Sequence, residues 1–328
     1  MLAAAVAMAP AGRPLSDDVF VDRVLIDAIR VIALPNARLL ALFHLDDMPN
    51  DPAAVGALML AADGRQWQLR ASTFVPRAEL LPGSAGQIYG AAISDDEMIA
   101  ALSVGWLAPN REGRNAIVIL RKGSDRLFHP ASLRRCDVGL GDLAFTANGN
   151  LAVVTRFTGR STVITLFSPS GRMLGELFGD LVPDRRRSSD LQLTRLDRNL
   201  YGLVDVRNGT LYHFSVSDAP SRKVSGRIVG TVDLNAGLRG RGTLGPIQTV
   251  ALLAPAEIMA VRQLVAPRPD TIVTIHHESR SAQWRIGFPS RTTFWDGTTL
   301  SIVTAVDNHP FLGRYSLLQI RKGVLDAS

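Results

Sequence analysis

Between residues 142 and 179 apolar and polar positions alternate in short runs, each ended by a turn. The run 142–146 meets Ala147-Asn148-Gly149-Asn150 and is followed by 151–157. Thr158-Gly159-Arg160 then leads into 161–168, and Pro169-Ser170-Gly171 into 172–178. Val, Ile, Leu, Phe and Thr fill the runs, because branched and aromatic side chains fit a pleated surface. Gly, Asn and Pro supply the turn dihedrals between them. The pattern predicts a four-stranded antiparallel meander. Alone, such a unit cannot bury both of its faces, so further copies are expected.

Apolar runs like the one at Leu151 also open at Leu39, Met98, Leu200, Ile258 and Leu300. Turn-like pairs precede most of them: Asn36-Ala37, Asp95-Asp96, Asn148-Gly149, Asp197-Arg198 and Asp296-Gly297, with Pro255-Ala256 as the exception. Successive anchors lie 59, 53, 49, 58 and 42 residues apart, near the period of propeller blades. Third strands are expected at 56–60, 116–120, 162–167, 210–214, 271–275 and 315–320. Outer strands are expected at 66–71, 125–129, 172–178, 224–229 and 282–286. Leu120-Arg121-Lys122-Gly123 and Ile320-Arg321-Lys322-Gly323 read as one hairpin in two copies. Only five residues follow Gly323, too few for an outer strand, so 19–26 is expected to complete the last blade and leave few open edges.

The stretch Ser168-Pro169-Ser170-Gly171-Arg172-Met173-Leu174-Gly175-Glu176-Leu177 resembles the six-bladed β-propellers of the NHL and TolB-like kind. The resemblance runs from about Val19 onward, through permissive motifs; there is no WD dipeptide and no kelch double glycine. It implies an all-β, six-bladed β-propeller of four-stranded antiparallel blades, with 15–328 as a single domain. A β-sandwich, single or double, is the competing arrangement. Helical periodicity is confined to 22–32, where Val and Ile favour strand.

With 328 residues and 46% hydrophobic content the chain is long enough for one large domain or two ordinary ones. No apolar run is long enough to span a bilayer. The net charge of +6 points to an anionic partner, but the basic residues are almost all arginine and scattered, which argues against nucleic acid. Cys136 is the only cysteine, so an intrachain disulfide and a thiolate metal cluster are both excluded. Residues 1–14 are small and apolar, and Ala7-Met8-Ala9 resembles an A-x-A processing site without a basic n-region. They are read as the remnant of an export signal or as a disordered tail. Export to the periplasm or outside the cell is expected on the first reading, the cytoplasm on the second. We expect a monomer.

Five residues beyond each anchor stand His44, Ser103, Arg156, Asp205, Gln263 and Ala305, where strands leave the core. Asp46, Asp47, Trp106, Arg111, Arg207, Arg262, Asp307 and His309 lie nearby. In a propeller these strand ends gather on one face, which makes His44, Trp106, Arg156, Asp205, Gln263, Asp307 and His309 the candidate ligand-binding set. Strand ends that are polar only because they meet water would look the same. The expected function is a non-catalytic scaffold that binds a polar ligand or a protein partner, without a cofactor. The alternative is a metal-dependent hydrolase. Calcium-dependent sugar lactonases share the fold that the resemblance implies, and Asp46-Asp47 and Asp307-Asn308-His309 offer hard ligands, though no early glutamate matches theirs.

Other motifs point to structure. His276-His277-Glu278 reads as an exposed turn, and Gly83-Ser84-Ala85-Gly86 lacks the spacing of a nucleophile elbow. The Arg185-Arg186-Arg187 run suits a phosphate or carboxylate, but Asp184 and Asp190 make it a solvated linker. Gly237, Gly240, Gly242 and Gly245 form a flexible connection, with no helix pattern after them to cradle a phosphate.

Overall fold

The computed structural model describes residues 30–34, 38–44, 55–62, 67–84, 86–124, 128–156, 162–178, 190–218, 224–238, 242–266, 269–277, 280–306 and 309–326. The meander read at 142–179 is there: β9 (Gly139–Phe145), β10 (Leu151–Arg156), β11 (Thr162–Phe167) and β12 (Met173–Phe178) pair in that order, antiparallel throughout. Gly149 and Gly171 take φ of 78° and 80° in its two tight turns, a region that favours glycine.

The same plan recurs. β1 (Arg30–Leu34), β2 (Arg38–His44), β3 (Val55–Ala62) and β4 (Trp67–Val75) form one four-stranded sheet. β5 (Gln87–Ile93), β6 (Ile99–Leu107), β7 (Gly113–Lys122) and β8 (Phe128–Cys136) form another. Two more contain β13 (Leu191–Asp197), β14 (Leu200–Asp205), β15 (Thr210–Ser217) and β16 (Ser225–Asp233), then β17 (Thr243–Ala254), β18 (Glu257–Ala266), β19 (Asp270–His277) and β20 (Arg280–Ile286). The last sheet has three strands, β21 (Thr292–Trp295), β22 (Thr299–Val306) and β23 (His309–Ser316), and is followed by helix α1 (Leu317–Asp326). The fold is an all-β propeller of four-stranded antiparallel blades.

Two expectations need correction, and a third lies outside the described residues. Among the described residues the blades with four strands number five, not six. The expected closing strand, 19–26, lies outside the described residues. The strand expected at 315–320 ends at Ser316 and becomes α1. There Ser316 and Gln319 form a reciprocal cap: Gln319 Oε1 accepts from the Ser316 N–H at 2.8 Å, and Ser316 Oγ accepts from the Gln319 N–H at 3.4 Å. Ile320-Arg321-Lys322-Gly323 is therefore helix, whereas Leu120-Arg121-Lys122-Gly123 runs out of β7 as read.

The chain divides into two compact units, one of Arg38–Asp205 and Tyr212–Thr231, the other of Val206–Leu211, Val232–Ser328 and the chain before Arg38. In the first, β10 is buried on both faces. Leu151 and Val153 join Ile117, Leu143 and Phe145 on one side, while Ala152 and Val154 join Ile164, Leu193 and Phe214 on the other. This explains why 151–154 is apolar throughout rather than alternating. Each of the Val, Leu, Ile and Phe side chains contributes about 1.5–3 kcal/mol on burial. In the second unit Met259, Val261, Val273, Ile302 and Tyr315 form the core that α1 closes with Ile320 and Val324. Among the anchors, Leu151, Ile258 and Leu300 are buried as expected, while Met98 stands just before β6 and is 49% exposed. No helix among the described residues is long and apolar enough to cross a membrane.

Candidate functional site

In the first unit buried polar residues fasten neighbouring sheets. Asp142 in β9 is buried; its Oδ1 accepts from the Leu143 N–H at 2.9 Å and its Oδ2 from the Leu193 N–H of β13 at 3.1 Å. On the other side it lies so close to β5 that a Cβ on Gly90 would stand 2.3 Å from Asp142 Oδ1. Ser103 Oγ donates to the Gly141 carbonyl at 2.6 Å, so one of the six strand-end positions serves as a buried tie. Asp218, buried just after β15, accepts from Thr146 Oγ1, from Asn148 Nδ2 at 2.6 Å and from Asn150 Nδ2 at 2.8 Å. The turn between β9 and β10 is thereby pinned by one carboxylate.

The candidate set is placed unevenly. Arg156 ends β10 and is exposed, as a ligand contact requires. Trp106 in β6 is buried, with its Nε1–H unpartnered, so its ring offers no platform at the surface. Asp205 ends β14 and is 1% exposed, which removes it from any surface pair with Arg156. His44 ends β2. In the other unit Gln263 is half-buried in β18 and His309 opens β23, while Asp307 lies outside the described residues, as do Asp46, Asp47 and Asn308. A cavity of about 190 Å³ in the first unit, lined by Phe74, Val118, Pro130, Ala131, Ser132 and Leu133, has a single side-chain hydroxyl and none of the candidate residues.

The most unusual polar group is one residue before Gln263. Arg262 is 2% exposed. Its Nη1 donates to Asn235 Oδ1 at 2.6 Å, and its Nε and Nη2 are buried without an acceptor among the described residues. Asn235 is held in place by donating from Nδ2 to the Asn208 carbonyl at 2.6 Å and by its backbone N–H to Asp233 Oδ1 at 2.9 Å. Leu238, in the same turn, packs with Leu264 and Ile272, the latter directly opposite Arg262 across β18 and β19. This turn, expected as a flexible glycine-rich connection, is instead tied down: Leu234 donates to the Gly209 carbonyl at 2.7 Å and Ser281 Oγ to the Ala236 carbonyl at 3.0 Å.

His276 lies on the same face of this sheet and is buried, not in the exposed turn expected for it; His277 is the exposed one. Thr274 Oγ1 donates to the Ala260 carbonyl at 3.2 Å, so the 2.9 Å contact between Thr274 Oγ1 and His276 Nε2 has the imidazole as donor. Burial pulls the Arg262 pKa down to about 10, opposed by Asp233, so the guanidinium stays charged at pH 7. Burial, and then the charge of Arg262, push His276 down to about 4, again opposed by Asp233, so it is neutral there. Arg262 was within view in the sequence as a neighbour of the counted position. Its burial was not, because that depends on the turn Asn235 and Leu238 bring over it.

No family model matches the chain, and no curated protein does. Solved structures do. A functionally unknown protein from Desulfotomaculum acetoxidans DSM 771 is similar at a TM-score of 0.52 and 8% identity, covering 89% of this chain and 83% of that one. The Hadza microbial sialidase Hz136 is similar at 0.53 and 9% identity, over 88% of this chain and 65% of its own length. The β-propeller domain of Cps50 (Swd1) from Myceliophteria thermophila follows at 0.48 and 9%, covering 89% and 97%, too distant to carry an argument. At such identities the first two likenesses extend to the fold, and neither brings a ligand or a reaction with it.

Proposed function

We propose that this chain is a non-catalytic binding scaffold that presents polar strand ends to a polar ligand or a protein partner. The observation that carries this reading is the contrast along β9 and β10. Asp142 locks β9 to its neighbour through the Leu193 N–H, while Arg156, at the far end of β10, is exposed. A frame fastened in this way holds recognition groups still, which limits the ordering cost of binding.

The rival, a metal-dependent hydrolase, makes an opposite thermodynamic demand. A resident divalent cation stabilises the folded state by about 2.7 kcal/mol at a hundredfold excess over its Kd. Melting curves with calcium and with chelator are expected to superimpose, and a panel of lactones and esters is expected to stay unhydrolysed. A rise in Tm that chelation reverses, together with turnover of a lactone, would replace the scaffold by the enzyme.

A further inference from the structure

We propose that the Nε and Nη2 edge of Arg262 is a receptor for a two-oxygen oxyanion, a carboxylate or a phosphate group, seated between strands β18 and β19 and the turn at 234–238. The site is separate from the strand-end set and stands whether or not the scaffold reading does.

The argument starts from the geometry of a guanidinium. Its five N–H groups lie in one plane, and the Nε–H and one Nη2–H point the same way along one edge. Two oxygens of a carboxylate or phosphate accept from that edge at once, the strongest pairing the side chain makes. In Arg262 the opposite corner is already used: Nη1 donates to Asn235 Oδ1 at 2.6 Å. Asn235 is itself fixed by the Asn208 carbonyl, so the plane of the guanidinium is set and the free edge has a defined direction. Both nitrogens on that edge are buried and lack an acceptor.

An arginine kept only for packing would not be left like this. Burying a charge is costly, and leaving two of its donors without acceptors adds to the cost. The polar groups beside it do not relieve it. Thr274 donates to the Ala260 carbonyl and His276 to Thr274, and neither side chain is a hydrogen-bond partner of Nε or Nη2. The Asp233 carboxylate is near enough to favour the charged guanidinium, but its Oδ1 accepts from the Asn235 N–H, and Nε and Nη2 have no acceptor among the described residues.

Neither free nitrogen is open to solvent, so the oxyanion enters only through a local opening of the structure around them. Saturable, slow binding is expected, unlike the fast and weak pairing of anions with exposed arginines.

The test uses the full chain with ¹⁵N-labelled arginine, titrated separately with sodium acetate and sodium phosphate at fixed pH and ionic strength. The Arg262 Nε–H resonance, assigned by its loss in Arg262→Lys, is expected to move saturably with at least one anion. Acetate alone would identify a carboxylate site, phosphate alone a phosphate site, and both a general oxyanion site. In Arg262→Lys, which keeps the charge but not the fork, affinity for the same anion, followed through Tm, is expected to fall about tenfold or more. A resonance that ignores both anions, or that drifts linearly as expected of an exposed arginine such as Arg156, overturns the proposal. So does a lysine variant that binds as well as the parent. If that variant does not fold, the titration of the parent protein decides alone, with Arg262 assigned through its backbone.

Discussion

Asp218, just after β15, and Arg262, inside β18, are both buried charges, and their surroundings are opposite. Asp218 accepts from three side chains, Thr146, Asn148 and Asn150, and ties a turn to β15. Arg262 has one acceptor and two idle donors. A carboxylate surrounded by donors repays its desolvation within the fold, whereas a guanidinium with a free edge does so only with help from outside. Completeness of the hydrogen-bond shell, rather than burial, separates a structural charge from a recognition charge.

The comparison breaks first at Asp218. Asp218→Ala strands three neutral donors and is expected to cost about 1–3 kcal/mol in chemical denaturation. A loss under about 1 kcal/mol would mean that the three contacts are incidental. Next comes His276, which Arg262 helps to keep neutral. Its pKa is about 4 in the fold against an ordinary 6.5, so the unfolded chain binds the proton first as pH falls. Stability from this group is present above 6.5 and is lost toward pH 4, at up to about 1.4 kcal/mol per pH unit. The slope should flatten in His276→Gln, and an unchanged slope would assign the acid sensitivity to other groups. The smallest effect is expected at Arg262→Met, within about 1 kcal/mol of the parent without added anion, because the substitution removes a burden along with one hydrogen bond. A loss like that of Asp218→Ala would show that Arg262 is as structural as Asp218.

The repeat was legible because it is written in local chemistry. Asn148-Gly149 and Ser170-Gly171 announce their turns, and the branched runs between them have no competing period. The end of the chain was misread by analogy: Arg321-Lys322-Gly323 copies Arg121-Lys122-Gly123, while the decisive signal, Ser316 followed by Gln319, stood just upstream as a helix cap. The site was read by counting five residues from each anchor, and strands of unequal length defeat such a count. β14 spans 6 residues and β18 spans 10, so the count that reached the end of one stopped inside the other, at Gln263. Burial of Trp106 and Asp205 was out of reach for another reason: burial is set by tertiary packing, which a count along one strand does not contain.

α1 shows how the fold can report on its own completion. Ten residues are too few to hold a helix in water, and the glycine within it costs about 1 kcal/mol more. That glycine, Gly323, is there because the helix presses on Trp284 of β20: a Cβ at this position would meet the indole at 2.5 Å. Trp284 in turn stands edge-on to Tyr315, with ring centroids 5.2 Å apart. The helix therefore owes its existence to the apolar face that Ile320 and Val324 bury, and forms only on a platform already built. Its amides should be the first in their neighbourhood to exchange with deuterium when the sheet carrying Trp284 loosens, which makes the C-terminus a gauge of that sheet's integrity.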